Sequence, residues 1–265
     1  MQRITSRQNP RFKEAARLIA SARDRRKSGR CVLEGEHLVA VYCDRFGAPE
    51  TILVAERMLD RPAVAALAQR APERTLVVPH ELFGEMATLP ADVGLLAVVA
   101  TPRPAPNVTP DFALLLEDVQ DPGNVGSMLR SAAAAGVAQV LLSPQCAFAW
   151  SPKVLRAGQG AHFHLDIHED VDLPAWAAAF CASGGSLAAT VVTGGTNLFE
   201  SVFPRRVALA IGNEGAGLSP ALLQQASHRL TIPMPGATES LNAAAAAAIS
   251  LFEVVRQRGL PSRPA

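Results

Sequence analysis

The chain has few cysteines, few aromatic residues and no uninterrupted apolar stretch of membrane length, and each shortage removes a class of protein. Its four cysteines, Cys31, Cys43, Cys146 and Cys181, are scattered through 265 residues with no C-x-x-C pair. Neither a disulfide framework nor a cysteine zinc site is therefore indicated, and the four read as buried thiols. Aromatic residues make up 5%; Trp150 and Trp176 lie in no basic, aromatic-interleaved run, so both read as packing residues rather than base-stacking platforms. The longest charge-free stretches, 131–152 and 173–199, are interrupted by Gln139, Ser143, Pro144 and Gln145 and by Gly184-Gly185 and Gly194-Gly195. Each reads as a helix and a strand joined by turns, not a membrane span, and the N-terminus lacks the apolar run of a signal peptide. A cytoplasmic protein with no membrane partner is the expectation. Two nucleotide-binding fingerprints are missing as well. Gly212, Gly215 and Gly217 form G-x-x-G-x-G instead of G-x-G-x-x-G, and no G-K-[ST] occurs.

What is present is a folded globular composition, 49% hydrophobic and 18% charged with 20 Pro and 19 Gly. The net charge of +1 hides an asymmetry. Residues 1–30 carry ten Lys or Arg (Arg3, Arg7, Arg11, Lys13, Arg17, Arg23, Arg25, Arg26, Lys27, Arg30) against Glu14 and Asp24, a local +8 on a body of −7. Such a segment suits a polyanion such as an RNA backbone, and equally suits a solvated helix face.

Residues 101–110 hold four prolines and read as a semi-rigid linker. We place an N-terminal domain at 1–102, a Pro-rich linker at 103–110 and a C-terminal domain at 111–265. In the first, apolar runs at 31–33, 51–55, 75–78 and 95–99 alternate with helix-like segments at 10–27, 63–69 and 81–86, giving a small α/β domain. In the second, runs at 113–116, 138–142, 163–167, 187–192, 207–211 and 230–232 are apolar without alternation, as parallel strands covered on both faces require. A last helix is expected to begin near Ser240 and to run through the six alanines 243–248.

Three segments following predicted strands hold polar residues that a buried crevice would find costly unless used. In the first, Leu115 to Arg130, a Pro122-Gly123 turn leads into a helix beginning near Asn124, with Arg130 within two turns. In the second, Val207 to Pro220, a strand enters a glycine-rich loop carrying Glu214. The third, Thr231 to Ala243, brings Ser240 and Asn242 to the alanine helix; taken alone, Ser240 is an N-cap and Asn242 a surface amide.

Together, N-x-G-x-x-x-R at 124–130, G-N-E-G-x-G-L-S at 212–219 and I-P-M-x-G-x-x-E-S-L-N at 232–242 resemble, in order and spacing, the signature motifs of the SpoU (TrmH) family of RNA 2′-O-ribose methyltransferases in the SPOUT superfamily. The segment from Ile4 to Gly35 is similar, more loosely, to the RNA-binding domain of rRNA-directed members. The resemblance implies a C-terminal α/β trefoil knot with a mostly parallel sheet, preceded by a small ribosomal-protein-like substrate-binding domain, and a homodimer with S-adenosylmethionine bound in the knot. It implies methylation of a ribose 2′-hydroxyl in structured RNA, with 23S ribosomal RNA favoured over tRNA because of the extra basic domain. By motif position, Asn124, Arg130, Glu214, Ser240 and Asn242 form the catalytic set, and Gly212, Ile232, Leu241 and, more weakly, Thr190 the cofactor set. Arg130 is the family's proposed general base; since guanidinium is charged in ordinary surroundings, orienting a phosphate and stabilising oxyanion charge is the less demanding role. Arg7, Arg23, Arg25, Arg26 and Lys27 are candidate RNA contacts, with Arg156 in a loop whose Gly158 replaces the family's usual serine.

His162, His164 and His168 form H-x-H-x-x-x-H, but no carboxylate or cysteine motif completes a metal site, and none is expected. Asp118 and Asp121 read as turn and cap residues. The rival functions are a tRNA methyltransferase and a non-catalytic RNA-binding protein that has kept the fold; intact motifs argue against the second.

Overall fold

The computed structural model describes residues 1–88, 93–105 and 107–259. Pro106 of the expected linker and residues 260–265 of the expected C-terminal domain lie outside them. The chain forms two compact units, residues 1–102 with 150–163, and residues 103–149 with 164–265.

The first unit is built on a five-stranded sheet in the order β1-β4-β3-β5-β2, comprising β1 (Gln2–Arg3), β2 (Arg30–Glu34), β3 (Thr51–Ala55), β4 (Thr75–Val78) and β5 (Leu95–Ala100). β1, β4 and β3 are parallel, and β5 is antiparallel to both β3 and β2. Its helices are α1 (Pro10–Ala20), α2 (Ala22–Ser28), α3 (Glu36–Phe46), α4 (Pro62–Gln69) and α5 (His80–Gly84). The single helix expected over 10–27 is two. Ser21 adopts an extended conformation that ends α1, and its Oγ accepts from the Asp24 amide at 3.1 Å to start α2. Helix α7 (Pro152–Gly158) also packs in this unit, against β2; Gly160 approaches Val41, and Phe163 meets Tyr42 edge-on with centroids 5.4 Å apart. Burial of Trp150, Val154, Leu155 and Phe163 accounts for this placement of a segment that lies beyond the linker in sequence.

The second unit holds seven strands, β6 (Phe112–Leu116), β7 (Gln139–Leu142), β8 (Asp166–His168), β9 (Ser186–Thr190), β10 (Thr196–Asn197), β11 (Val207–Ile211) and β12 (His228–Thr231), in the order β10-β12-β9-β11-β6-β7-β8. Every adjacent pair is parallel. One face of the sheet presents Ala113, Leu115, Ala189, Ala208 and Ala210 to Leu173, Ala177 and Phe180 of α8 (Leu173–Ala182) and Leu222 of α9 (Pro220–Gln225). Elsewhere in the unit α6 (Pro122–Ala134) and α10 (Ala243–Arg258) pack on each other, and α10 reaches β11. Ala132, Ala247 and Ser250 are wholly buried there, so small side chains let the two helices approach closely.

The linker is anchored from Asn107 onward. The Asn107 carbonyl accepts from Gln139 Nε2 at 3.0 Å and from the Trp176 indole at 3.2 Å. The strand expected at 163–167 is shorter, because residues Ala161–His164 form a 3-10 turn; His162 and His164 lie in that turn and His168 in the strand, and His162 packs against Trp150. Burial holds the Cys31 thiol up at about 12, consistent with an inert buried residue.

Arg25 is a correction to the expected RNA contacts. It is 5% exposed, and its Nη1 donates to the carbonyl oxygens of Leu18 and Ile19, filling the last turn of α1. It cannot reach a phosphate while it closes that turn. Arg25→Ala should cost about 1–3 kcal/mol, the typical penalty for leaving buried acceptors unpaired, whereas the exposed Arg23→Ala should stay within about 0.5 kcal/mol. Urea unfolding midpoints of the two variants check this.

Candidate active site

The polar segments converge because a parallel sheet sends all its strand ends the same way. Glu117, Ser143 and Gly212 directly follow β6, β7 and β11, and Thr190 and Ile232 stand at the ends of β9 and β12. The crevice outside the carboxyl ends of parallel strands is where such folds bind ligands.

After β6 the chain turns sharply at Asp118, a non-glycine residue with φ of 56°. Ser143 supports it: the Ser143 Oγ accepts from the Asp118 amide at 2.8 Å and donates to Asp118 Oδ1. Asp121 then caps α6, accepting from the Asn124 amide at 2.7 Å, and Pro122 occupies the first turn, where no amide proton is needed. Asn124 is thus held at the helix start, and Arg130 lies exposed further along the same helix.

The sequence expectation for the third motif is reversed in one respect. Ser240 is exposed in the loop, and Asn242 is the N-cap of α10, its Oδ1 accepting from the Ala244 and Ala245 amides at 2.9 and 3.3 Å. Backbone amides only donate, so they fix which end of the Asn242 amide faces the helix. Its Nδ2 then donates to Asn124 Oδ1 at 2.9 Å, and Asn124 Nδ2 donates to Glu214 Oε1 at 2.8 Å. One residue from each motif joins a single oriented chain, Asn242 to Asn124 to Glu214.

The glycine-rich loop is equally determined. Asn213 and Gly217 exchange backbone hydrogen bonds, the Asn213 Oδ1 accepts from the Gly215 and Ala216 amides at 2.9 Å each, and its Nδ2 donates to the Asp118 carbonyl at 2.8 Å. A Cβ at Gly212 would stand 2.3 Å from the Gly217 carbonyl carbon, so only glycine allows the loop to fold back on itself. At its far end, Ser219 donates through its amide and its Oγ to the two carboxylate oxygens of buried Glu117, each at 2.7 Å. Asn213, Glu117 and Ser143 had no assigned role in the sequence reading; their only signal there is a polar residue immediately after a wholly apolar strand or at the mouth of the loop.

Of the expected cofactor set, Thr190 ends β9, and Gly212 and Ile232 follow β11 and β12, the strands on either side of it in the sheet. Thr190 Oγ1 donates to the Ala210 carbonyl at 3.0 Å and so ties β9 to β11. Gly212 and Ile232 are half-buried, and Leu241 is 38% exposed although apolar. Half-buried backbone at the ends of neighbouring strands and an exposed apolar side chain are the kinds of group that a nucleoside such as that of S-adenosylmethionine requires. Among the RNA candidates, Arg23, Arg26, Lys27 and Arg156 are exposed, and Arg7 pairs with Glu85 at 2.5 Å.

Fold and loops together define a parallel α/β domain whose polar loops meet at the strand ends, and comparison with known proteins gives its family. The SpoU rRNA methylase family profile matches residues 111–252. The 23S rRNA guanosine 2′-O-methyltransferase RlmP of Bacillus subtilis is 32% identical across 96% of this chain and 99% of its own length. A 23S rRNA uridine 2′-O-methyltransferase of Streptomyces viridochromogenes is also 32% identical, over 97% of this chain and 92% of its own. Among solved structures, the SpoU methyltransferase AviRb from S. viridochromogenes in complex with AdoMet superposes with a TM-score of 0.79 at 29% identity, covering 95% of this chain and 98% of that one. An rRNA methyltransferase from Sinorhizobium meliloti superposes with a TM-score of 0.82 at 26% identity, over 98% and 99%. The chain belongs to the SpoU family of RNA methyltransferases, whose methyl donor is S-adenosylmethionine.

Asn124→Asp keeps the shape of the central residue but sets an acceptor against Glu214, so the oriented chain must break. Methyl transfer should fall on the order of a hundredfold, as positional errors at reacting groups typically cost, while the far-UV circular dichroism spectrum stays native.

Proposed function

We propose that this enzyme methylates one ribose 2′-hydroxyl of large-subunit ribosomal RNA, with the Asn242–Asn124–Glu214 chain organising the site. The observation that carries this reading is that a single hydrogen-bonded line joins three segments far apart in sequence at the carboxyl ends of the sheet. Relatives named as 23S rRNA methyltransferases align with nearly the whole chain. The tRNA-modifying TrmH/SpoU enzyme of Aquifex aeolicus covers only 57% of it. That contrast supports ribosomal RNA over tRNA, because the additional unit is shared with the former.

S-adenosylmethionine, when bound, supplies an electrophilic methyl group on a sulfonium. Backbone groups around Gly212 and Ile232, with Thr190 and Leu241, are assigned to holding it, and Glu214 to placing negative charge at the loop. Ser240 and Asn242 are assigned to the pocket that receives the ribose. We assign the exposed Arg130 to orienting the substrate phosphate and stabilising charge that develops on the 2′-oxygen, the role that a fork of donors fills. The chemistry needs no metal. We further propose that the enzyme works in the cytoplasm, and as a homodimer. The exposed apolar residues Phe199, Val202 and Phe252 suit a second copy; Gln257 of α10 fixes that loop through Ser201 and Phe203.

Transfer of labelled methyl from S-adenosylmethionine to ribosomal RNA lacking the modification, followed by mapping of the modified ribose, tests the assignment. Arg130→Ala should abolish transfer while cofactor binding by calorimetry persists; normal turnover would remove Arg130 from the mechanism. Neutralising Arg23, Arg26 and Lys27 together should lower the slope of log K against log salt by roughly 0.7–0.9 for each phosphate that is no longer neutralised, and an unchanged slope would make that helix a solvated face.

A further inference from the structure

We infer that Glu117 is a positioning residue for the methyl-transfer reaction, holding the glycine-rich loop so that Glu214 reaches Asn124. The inference rests on the proposed site and extends it to a group that does not itself touch it.

The loop 212–219 hangs from two consecutive residues after β6. Its entrance is held by the Asn213 side chain on the Asp118 carbonyl at 2.8 Å, and its exit by Ser219 on the Glu117 carboxylate. Between these two attachments residues 214–217 are exposed, and Glu214 makes its 2.8 Å contact with Asn124 from that exposed stretch. Glu117 is 8% exposed, and both of its carboxylate oxygens are engaged at 2.7 Å. A buried carboxylate is retained only where donors satisfy it, and here both donors belong to one residue. Ser219 has little freedom either: its single hydroxyl proton goes to Glu117, and its Oγ accepts from the Leu222 amide at 3.2 Å to start α9. The Glu117 amide donates to the Ile211 carbonyl at 2.9 Å, which ties the backbone of the anchor to the last residue before the loop. Glu117 therefore sets the distance between the loop's exit and the end of β6, and Glu214 inherits its position from that distance.

The test is steady-state methyl transfer to an unmodified large-subunit rRNA transcript with Glu117→Ala, Glu117→Asp, Glu117→Gln, Glu214→Ala, which removes the acceptor that Asn124 meets, and the double variant Glu117→Ala/Glu214→Ala. Glu117→Asp guards against a folding failure of the alanine variant, because it keeps the charge but withdraws it by one methylene. Both should lose turnover by roughly tenfold to a hundredfold, the scale of positional effects. Glu117→Gln, which still offers a carbonyl to the Ser219 amide and an NH₂ to a free lone pair of its Oγ, should stay within about threefold of wild type. If Glu117 acts through Glu214, the two losses will not multiply in the double variant; independent multiplication of the two would overturn the inference. Should Glu214→Ala alone leave turnover unchanged, the assignment of Glu214 is what fails. The anchoring of the loop is then read from amide exchange at Gly215 and Ala216, faster in Glu117→Asp if the inference holds and unchanged if it does not.

Discussion

A parallel sheet buried on both faces leaves only its ends for polar chemistry, and the second unit is arranged around that constraint. All five residues of β6 and of β11 are buried, so neither strand can carry a functional side chain within its length. Parallel pairing also aligns the strand directions, so whatever follows β6, β9, β11 and β12 emerges on one side. Motifs separated by about ninety and by more than a hundred residues meet there without any local sequence relation between them. The small residues on α6 and α10 follow from the same geometry, since the two helices must both lie close for Asn124 and Asn242 to touch.

Within that crevice, direction matters more than proximity. An asparagine side chain is nearly symmetrical in shape but not in hydrogen bonding, and an unanchored Asn–Asn contact can form in either sense. Capping of α10 removes the ambiguity at Asn242, and the polarity then passes to Asn124 and ends on a carboxylate that can only accept. A helix start thereby determines the orientation of an asparagine side chain on another helix. The arrangement explains why the position that functions as a cap is Asn242 and not Ser240: a serine hydroxyl can satisfy the amides of a first turn, but it offers no second, oppositely polarised end to pass onward.

The strands were legible because uniformly apolar runs bounded by glycine, proline or polar residues have few alternatives. β3 and β4 agree with the runs at 51–55 and 75–78, and β11 with 207–211. The motifs were legible as motifs, yet not as geometry. Nothing in the spacing shows that Asn242 caps a helix while touching Asn124, or that Asn213 bridges to the Asp118 carbonyl, because both depend on which strands are neighbours. Helix α3 escaped for a local reason: it starts after Gly35 with no side-chain cap, so its buried Leu38, Val39, Tyr42 and Cys43 had no start signal beside them. The break at Ser21 was hidden differently, since a serine inside a helical pattern is unremarkable until its backbone turns extended. The docking of 150–163 on the first unit was invisible because apolar residues on a short helix do not say which sheet they face.

Charge shows the same limit most plainly. Counting cations in residues 1–30 treats ten side chains alike, and the fold does not. Arg3 pairs with Glu56 at 2.6 Å, Arg7 with Glu85, and Arg30 with both Glu14 and Glu50. Arg11 donates to Thr51 and to the Arg74 carbonyl, and Arg25 to the end of α1. Lys13, Arg17, Arg23, Arg26 and Lys27 are exposed on α1 and α2, the last three of them within one short helix. Ion pairs at the surface contribute little to stability, but each holds its arginine at a carboxylate and so reduces the positive potential offered to a polyanion. The field that remains is therefore narrower than the +8 of the segment suggests. A helix with cations in its last turn is also stabilised by its own dipole, so the charge that would meet RNA is the same charge that favours the helix presenting it.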